Sequence, residues 1–302
     1  MQILLAGTPS TTVAVARTLV SANHTIIGVL CPFPKPIGRK QIVTPCALEM
    51  WARNFSVPIF HVDSSVLADH KNLAEVPKAD VFIVADFGFL IPPWLLSYCQ
   101  HGALNLHPSL LPRWRGATPV PFTLLFGDRE TGISIIQMNE KFDMGAVVAQ
   151  RKVEILEDDT TPTLLDRCFS VGAQLLLEVL LEYVGGALKP IPQPISSPTP
   201  MTRKFTKEDG CVPYEALVAA RQGLSFDSSP IKILAEYGLP QIPVGIYQMC
   251  RGLAPWPGVW ATLPNGKRLK VLSSTFDGKR CTPNLVQLEG KTAEKYMGFD
   301  RL

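Results

Sequence analysis

No Cys-x-x-Cys pair occurs in this chain, although it holds seven cysteines, at positions 31, 46, 99, 168, 211, 250 and 281. An odd, dispersed set argues against a disulfide framework and against a zinc site, and fits a reducing, cytoplasmic setting. No metal is expected, because nothing clusters with ligand spacing. A Gly-x-Gly-x-x-Gly fingerprint is also missing: Gly7-Thr8-Pro9-Ser10 follows the first apolar run and reads as a plain strand-to-helix turn, so no dinucleotide site is expected. There is no Walker-type loop and no internal repeat. The longest apolar region, Phe87 to Leu96, is broken by Pro92 and Pro93 and is too short to span a bilayer, so no membrane association is expected. Nor is a signal or transit peptide expected, since Gln2–Gly7 already reads as a core strand.

What is present describes a globular chain with room for two domains. Its 302 residues are 46% hydrophobic and 18% charged, enough for sizeable cores. The net charge of +3 is unevenly divided. From residue 203 onward there are 14 Lys/Arg against 9 Asp/Glu, whereas the first 202 residues carry 15 against 17. A basic C-terminal part points mildly to a polyanionic partner, with ordinary surface variation as the plain alternative.

Short apolar, β-branched runs at Ile3–Ala6, Thr25–Leu30, Val81–Ala85 and Ala103–His107 alternate with helical composition at Thr12–Ser21 and Pro45–Asn54. That rhythm predicts a doubly wound α/β domain with a mostly parallel sheet, whose ligands bind beyond the carboxyl ends of the strands. Gly132–Met138 and Val147–Ile155 read as a later strand pair. A helix opens at Thr161-Pro162 and stops at Gly185-Gly186, with proline and glycine where helix ends favour them. Five prolines between 187 and 202 predict an extended linker. Beyond it, Val259–Leu263 and Arg268–Ser273 flank the turn Pro264-Asn265-Gly266, a hairpin signal. The expectation is a catalytic domain over 1–186, a linker over 187–202, and a small β-rich domain with one helix over 203–302.

The densest stretch is Asn105-Leu106-His107-Pro108-Ser109-Leu110-Leu111-Pro112-Arg113-Trp114-Arg115-Gly116-Ala117-Thr118-Pro119. Residues i and i+2 of a strand share a face, so Asn105 and His107 can address one reacting atom. An amide donor beside a titratable ring suits a developing oxyanion and a moving proton, as acyl-type transfer requires. Asn-x-His alone is equally compatible with a structural pair.

The whole string resembles the signature of the folate-dependent formyltransferases, and its Arg-Gly-Ala-Thr-Pro ending is most similar to the methionyl-tRNA formyltransferases. Leu5–Pro9, Ala85–Pro92, Asp143 with Gly145, Lys204–Gly210 and Ala254-Pro255-Trp256-Pro257-Gly258 resemble further segments of that family. Met144 stands where the family usually has threonine, and residues 222–245 carry extra sequence.

The resemblance implies transfer of the formyl group of 10-formyltetrahydrofolate to the α-amine of methionyl initiator tRNA, for translation initiation. It implies Asn105, His107 and Asp143 as catalytic residues. It also implies a folate site formed by Ser109, Leu110, Leu111 and Pro112 with Asp86, Phe87, Gly88, Phe89 and Leu90. Lys35, Arg39 and Lys40 would engage the tRNA, and the C-terminal domain would be an OB-like β-barrel that binds tRNA. A monomer is expected. Two other readings stay open: a folate formyltransferase acting on a nucleotide or sugar amine, and a non-catalytic tRNA- or folate-binding protein.

Overall fold

Val, Ile and Leu runs that are buried on both faces become the inner strands of a seven-stranded sheet. In the computed structural model, which describes residues 1–38, 40–225, 229–239 and 242–298, the strands of the N-terminal part are β1 (Gln2–Gly7), β2 (Thr25–Pro32), β3 (Lys35–Ile37), β4 (Ile42–Thr44), β5 (Ile59–Val62), β6 (Val81–Ala85), β7 (Ala103–His107), β8 (Glu130–Gln137) and β9 (Ala146–Glu154). The sheet order is β5-β2-β1-β6-β7-β8-β9, with β3 and β4 forming a separate hairpin. β5, β2, β1, β6 and β7 pair in parallel; β8 runs antiparallel to β7, and β9 to β8. The order turns at β1, and the carboxyl ends of β1, β6 and β7 fall on one side, where open α/β sheets bind ligands.

The helices are α1 (Ser10–Ser21), α2 (Ala47–Asn54), α3 (Ser64–Ala68), α4 (Pro93–Leu96), α5 (Pro119–Leu125) and α6 (Thr161–Val184), followed by α7 (Tyr214–Gln222), α8 (Lys232–Tyr237) and α9 (Val244–Gly252). In α6, Leu164, Cys168, Phe169, Ala173, Leu176 and Leu180 are buried at helical spacing. The helix comes close enough to β8 that a Cβ on Gly172 would lie 2.7 Å from Ile133 Cγ1.

The chain divides into two compact units. The first comprises 1–117, 130–154 and 165–201; the second comprises 118–129, 155–164 and 202–302. The proline-rich segment groups with the first unit: Ile191 pairs with Val147 as an antiparallel bridge. Helix α5, which opens at the end of the signature string, groups with the second, where Phe122 stacks on Phe205 at 5.3 Å and meets Tyr237 edge-on at 5.1 Å.

The second unit carries an antiparallel sheet of β10 (Val259–Thr262), β11 (Arg268–Phe276), β12 (Cys281–Leu288) and β13 (Glu294–Lys295). The Pro264–Gly266 turn joins β10 to β11 as the sequence predicts. The single helix expected there is corrected to three among the described residues, α7 to α9. α7 and α8 each end on a left-handed glycine, Gly223 and Gly238, a stop signal that marks short helices as well as turns.

Candidate active site

β7 ends in the signature string, and its side chains face different surroundings. Asn105 is half-buried and lines a cavity of about 80 Å³ together with Phe87, Phe89, Leu90, Ile91, Asn139 and Asp143. Among the described residues its amide makes no side-chain hydrogen bond, so it is free to serve a group in the cavity. His107, 4% exposed, does not line that cavity. Its Nε2 lies 3.0 Å from the carbonyl of Trp114. A carbonyl only accepts, so Nε2 carries the hydrogen and Nδ1 is the other face of the ring. Nδ1 faces Asp143 Oδ1 at 3.6 Å, an ion-pair separation rather than a hydrogen bond.

Asp143 is fixed from three directions. Its Oδ2 accepts the backbone N–H of Gly116 at 2.8 Å, so the signature string grips the carboxylate directly. Its backbone is left-handed at φ 51°. Two residues on, a Cβ at Gly145 would lie 2.0 Å from the Gln137 carbonyl, so only glycine lets this loop lie against β8. Gln193, which sequence reading passed over, completes the support. Its Nε2 donates to the carbonyls of Asp143 (2.9 Å) and Gly145 (2.7 Å). Its Oε1 accepts from Arg115 Nε and Nη2 at 3.1 and 2.9 Å. Arg115, 4% exposed, also donates to the carbonyls of Pro194 and Ile195. Ser197 Oγ donates to the Pro112 carbonyl, and Trp114 N donates to Thr199 Oγ1. The segment expected to be a linker therefore straps the signature loop to the Asp143 loop. The polar residues set between its prolines were the available signal.

The expected folate residues divide. Phe87, Phe89 and Leu90 line the cavity, the two rings meeting edge-on at 5.3 Å; Leu90 is 68% exposed. Gly88 is exposed beside them. Asp86 sits behind, left-handed at φ 51°, and accepts from Thr11 Oγ1 at 3.0 Å. Burial pushes its carboxyl up, against the Thr11 hydrogen bond. Ser109 to Pro112 are not brought to this cavity. Ser109 and Leu111 are buried, and Ser109 Oγ donates to the Arg113 carbonyl at 2.7 Å. Ser134 Oγ donates to the Ser109 carbonyl and accepts from Leu111 N, and Gln150 closes the loop onto the Leu111 carbonyl. These four residues shape the turn with their backbone. Lys35 and Lys40 are exposed on the β3–β4 hairpin, and Arg39 lies outside the described residues.

This is a site for delivering an acyl-type group to a nucleophile: a free amide donor, a carboxylate held against a buried imidazole, and an apolar wall. The description Formyl transferase matches residues 1–180 and Formyl transferase, C-terminal domain, matches 243–293, so the chain belongs to the formyl transferase family and is a formyl-transfer enzyme. A curated relative from Anaeromyxobacter dehalogenans, named methionyl-tRNA formyltransferase, is 35% identical over 287 residues, covering 94% of this chain and 82% of the relative. Among solved structures, methionyl-tRNA formyltransferase from Clostridium thermocellum is similar at TM-score 0.59 and 14% identity, over 95% of this chain and 98% of that one. A sugar N-formyltransferase from a Shewanella species is similar at TM-score 0.59 and 18% identity, over 95% and 99%. At these identities the two structures speak to the fold alone.

No helix among the described residues is long and apolar enough to cross a membrane.

Proposed function

We propose that the chain transfers the formyl group of 10-formyltetrahydrofolate to the α-amino group of methionyl initiator tRNA. The observation that carries this reading is the meeting of Asn105 and Asp143 at one cavity, with His107 paired to the carboxylate behind it, in a chain whose relative over 94% of its length is named for that reaction.

The donor fits the residues present. Phe87, Phe89, Leu90 and Ile91 offer an aromatic heterocycle an apolar surface, and Asn139 and Asp143 offer partners for its polar edge. Bound there, it supplies an electrophilic formyl carbon. Asn105 donates to the formyl oxygen as negative charge develops on it, an interaction stronger in the transition state than before it. The methionyl amine loses a proton as its nitrogen joins the formyl carbon, and the His107–Asp143 pair takes that proton up. His107 acts through Asp143, because its Nε2 is held by Trp114.

The tRNA is read electrostatically. Lys35 and Lys40 are exposed on the β3–β4 hairpin of the first unit. In the second unit Lys267, Lys270, Lys279 and Arg280 are exposed, and Arg268 lies over the Trp260 ring at 4.6 Å. Bases on exposed strands and turns suit phosphates.

The test is a transfer assay offering charged initiator tRNA, a nucleotide-linked aminosugar and an amine-bearing ribonucleotide in parallel. Formylation of the tRNA at a kcat/KM far above the small amines is expected. Preference for either small amine would replace this reading with one of the other folate formyltransferases, and no transfer to any would leave a binding protein.

A further inference from the structure

Away from the active site, Cys31, Cys46 and Glu49 bring metal-binding atoms together under α2, and His61 lies beside Glu49. Cys31 lies on β2 and is fully buried; His61 lies on β5 and is its direct register partner in the parallel pair. Neighbouring residues in register point to the same face of a sheet. Over that face sits the start of α2, with Cys46 as its N-cap and Glu49 in its first turn. The Cys31 and Cys46 sulfurs and a Glu49 carboxylate oxygen all lie within 4.8 Å of one another. His61 Nε2 lies 3.1 Å from Glu49 Oε2.

The electrostatics of this cluster are unfinished. Glu49 is 0% exposed, and one oxygen is answered by Arg53 at 2.6 Å. Among the described residues the other oxygen, Oε2, has no hydrogen-bond partner, and neither does His61 Nε2. His61 Nε2 and Glu49 Oε2 thus face each other at 3.1 Å without hydrogen-bond geometry between them, beside two thiols. Leaving such atoms unmatched is unfavourable. A cation at their common centre removes that penalty.

The geometry points to a metal site of Cys31, Cys46, Glu49 and His61 that takes a borderline-soft divalent cation of the zinc class. Zinc bonds of about 2.0–2.3 Å to N, O and S ligands in a tetrahedron give ligand-to-ligand edges of roughly 3.3–3.8 Å, and the 3.1 Å from His61 to Glu49 is close to such an edge. Two thiolates, one carboxylate and a neutral imidazole around a divalent ion leave one negative charge, which Arg53 balances. Cys31 and Cys46 bracket the segment 32–45, which contains the β3–β4 hairpin. A shared ion therefore fastens both ends of that segment to the sheet. The cysteine spacing hides the site because its ligands come from two strands and a helix start.

The experiment uses the full chain, purified under reducing conditions without chelator. Metal analysis is expected to give about one zinc per chain. After chelation, cobalt(II) added to the metal-free protein is expected to give the intense near-ultraviolet thiolate-to-cobalt band and the visible bands of a tetrahedral ion. Cys31→Ser and Cys46→Ser are expected to weaken zinc binding at least about 100-fold, more than removing an outer hydrogen-bond partner of a ligand would. Cys211→Ser, outside the cluster, is expected to bind as the parent does. Backbone amides of 32–45 are expected to exchange faster once the metal is removed. Absence of both zinc and the cobalt–thiolate band in the unaltered chain overturns the proposal, and needs no variant to fold.

Discussion

The signature region of the first unit and the β11 region of the second use polar side chains in opposite ways. In the first, His107, Ser109, Arg115 and Ser134 are buried, and each is tied to a backbone carbonyl. In the second, the basic residues of β11 and the turn after it are largely exposed, and basic side chains lie over aromatic rings, as Arg268 and Lys207 do over Trp260. Buried hydrogen bonds hold an atom to a fraction of an ångström, which a reacting centre needs. Exposed charge raises local ligand concentration and tolerates looseness, which suits capture of a polyanion. On the proposed reading, the site residues of the first unit hold position, and the exposed basic residues of the second attract the tRNA. Damage to the first should therefore appear in turnover, and damage to the second in apparent affinity and its salt dependence.

The sharpest way to break that contrast is Asp143→Asn. The amide keeps the size and can still accept from Gly116 N, but it cannot take the amine's proton. Turnover is expected to fall roughly 10²–10⁴-fold with little change in melting temperature. Full activity across the pH range would make Asp143 structural. Next comes Asn105→Ala, expected to lower kcat about 10²–10³-fold while donor affinity, measured by titration, stays near the parent's. Loss of affinity with unchanged kcat would make Asn105 a ground-state partner of the donor.

Gln193 tests whether the first unit really works by holding position. It touches no cavity residue with anything but its amide, on the Asp143 and Gly145 carbonyls. Gln193→Ala is expected to reduce kcat by about 10–100-fold, and Gln193→Glu to rescue only the Arg115 half of the bridge. Unchanged kcat in both would show that the Asp143 loop is held without the strap. The second unit is tested by Lys267→Gln with Lys270→Gln. KM for charged tRNA is expected to rise and kcat to hold. The slope of log affinity against log salt should flatten by roughly one for each phosphate no longer neutralised. An unchanged slope would remove β11 from the tRNA surface.

The smallest effect concerns Asp86. Burial raises its carboxyl in the folded state, so the folded chain holds that proton more tightly than the unfolded one. Its favourable contribution is complete below the ordinary value of 3.8 and is lost as pH rises through the raised folded value. Asp86→Asn cannot ionise and tolerates the left-handed backbone. The two proteins should melt alike in strong acid, and the variant should gain over the parent as pH approaches neutrality. A constant difference at every pH would mean that Asp86 does not titrate differently on folding.

Much of this was legible in the chain itself. Alternating apolar runs specified the parallel strands, because a strand buried on both faces must be apolar throughout. Thr161-Pro162 and Gly185-Gly186 bounded α6, because helix ends have their own residue chemistry. Asn105 and His107 stood two apart on a strand, so spacing allowed them to share a face, whereas Asp143 with Gly145 was singled out only by resemblance to the family. Local rules could not decide which way each side chain faces once loops from distant parts of the chain close over it. Only the tertiary structure turned His107 away from the cavity towards Trp114 and Asp143, and left Asn105 in it. It also converted a proline-rich stretch into a strap through Gln193, and drew Cys31, Cys46, Glu49 and His61 together from two strands and a helix start. Spacing along a chain records neighbours within an element, whereas packing creates neighbours between elements.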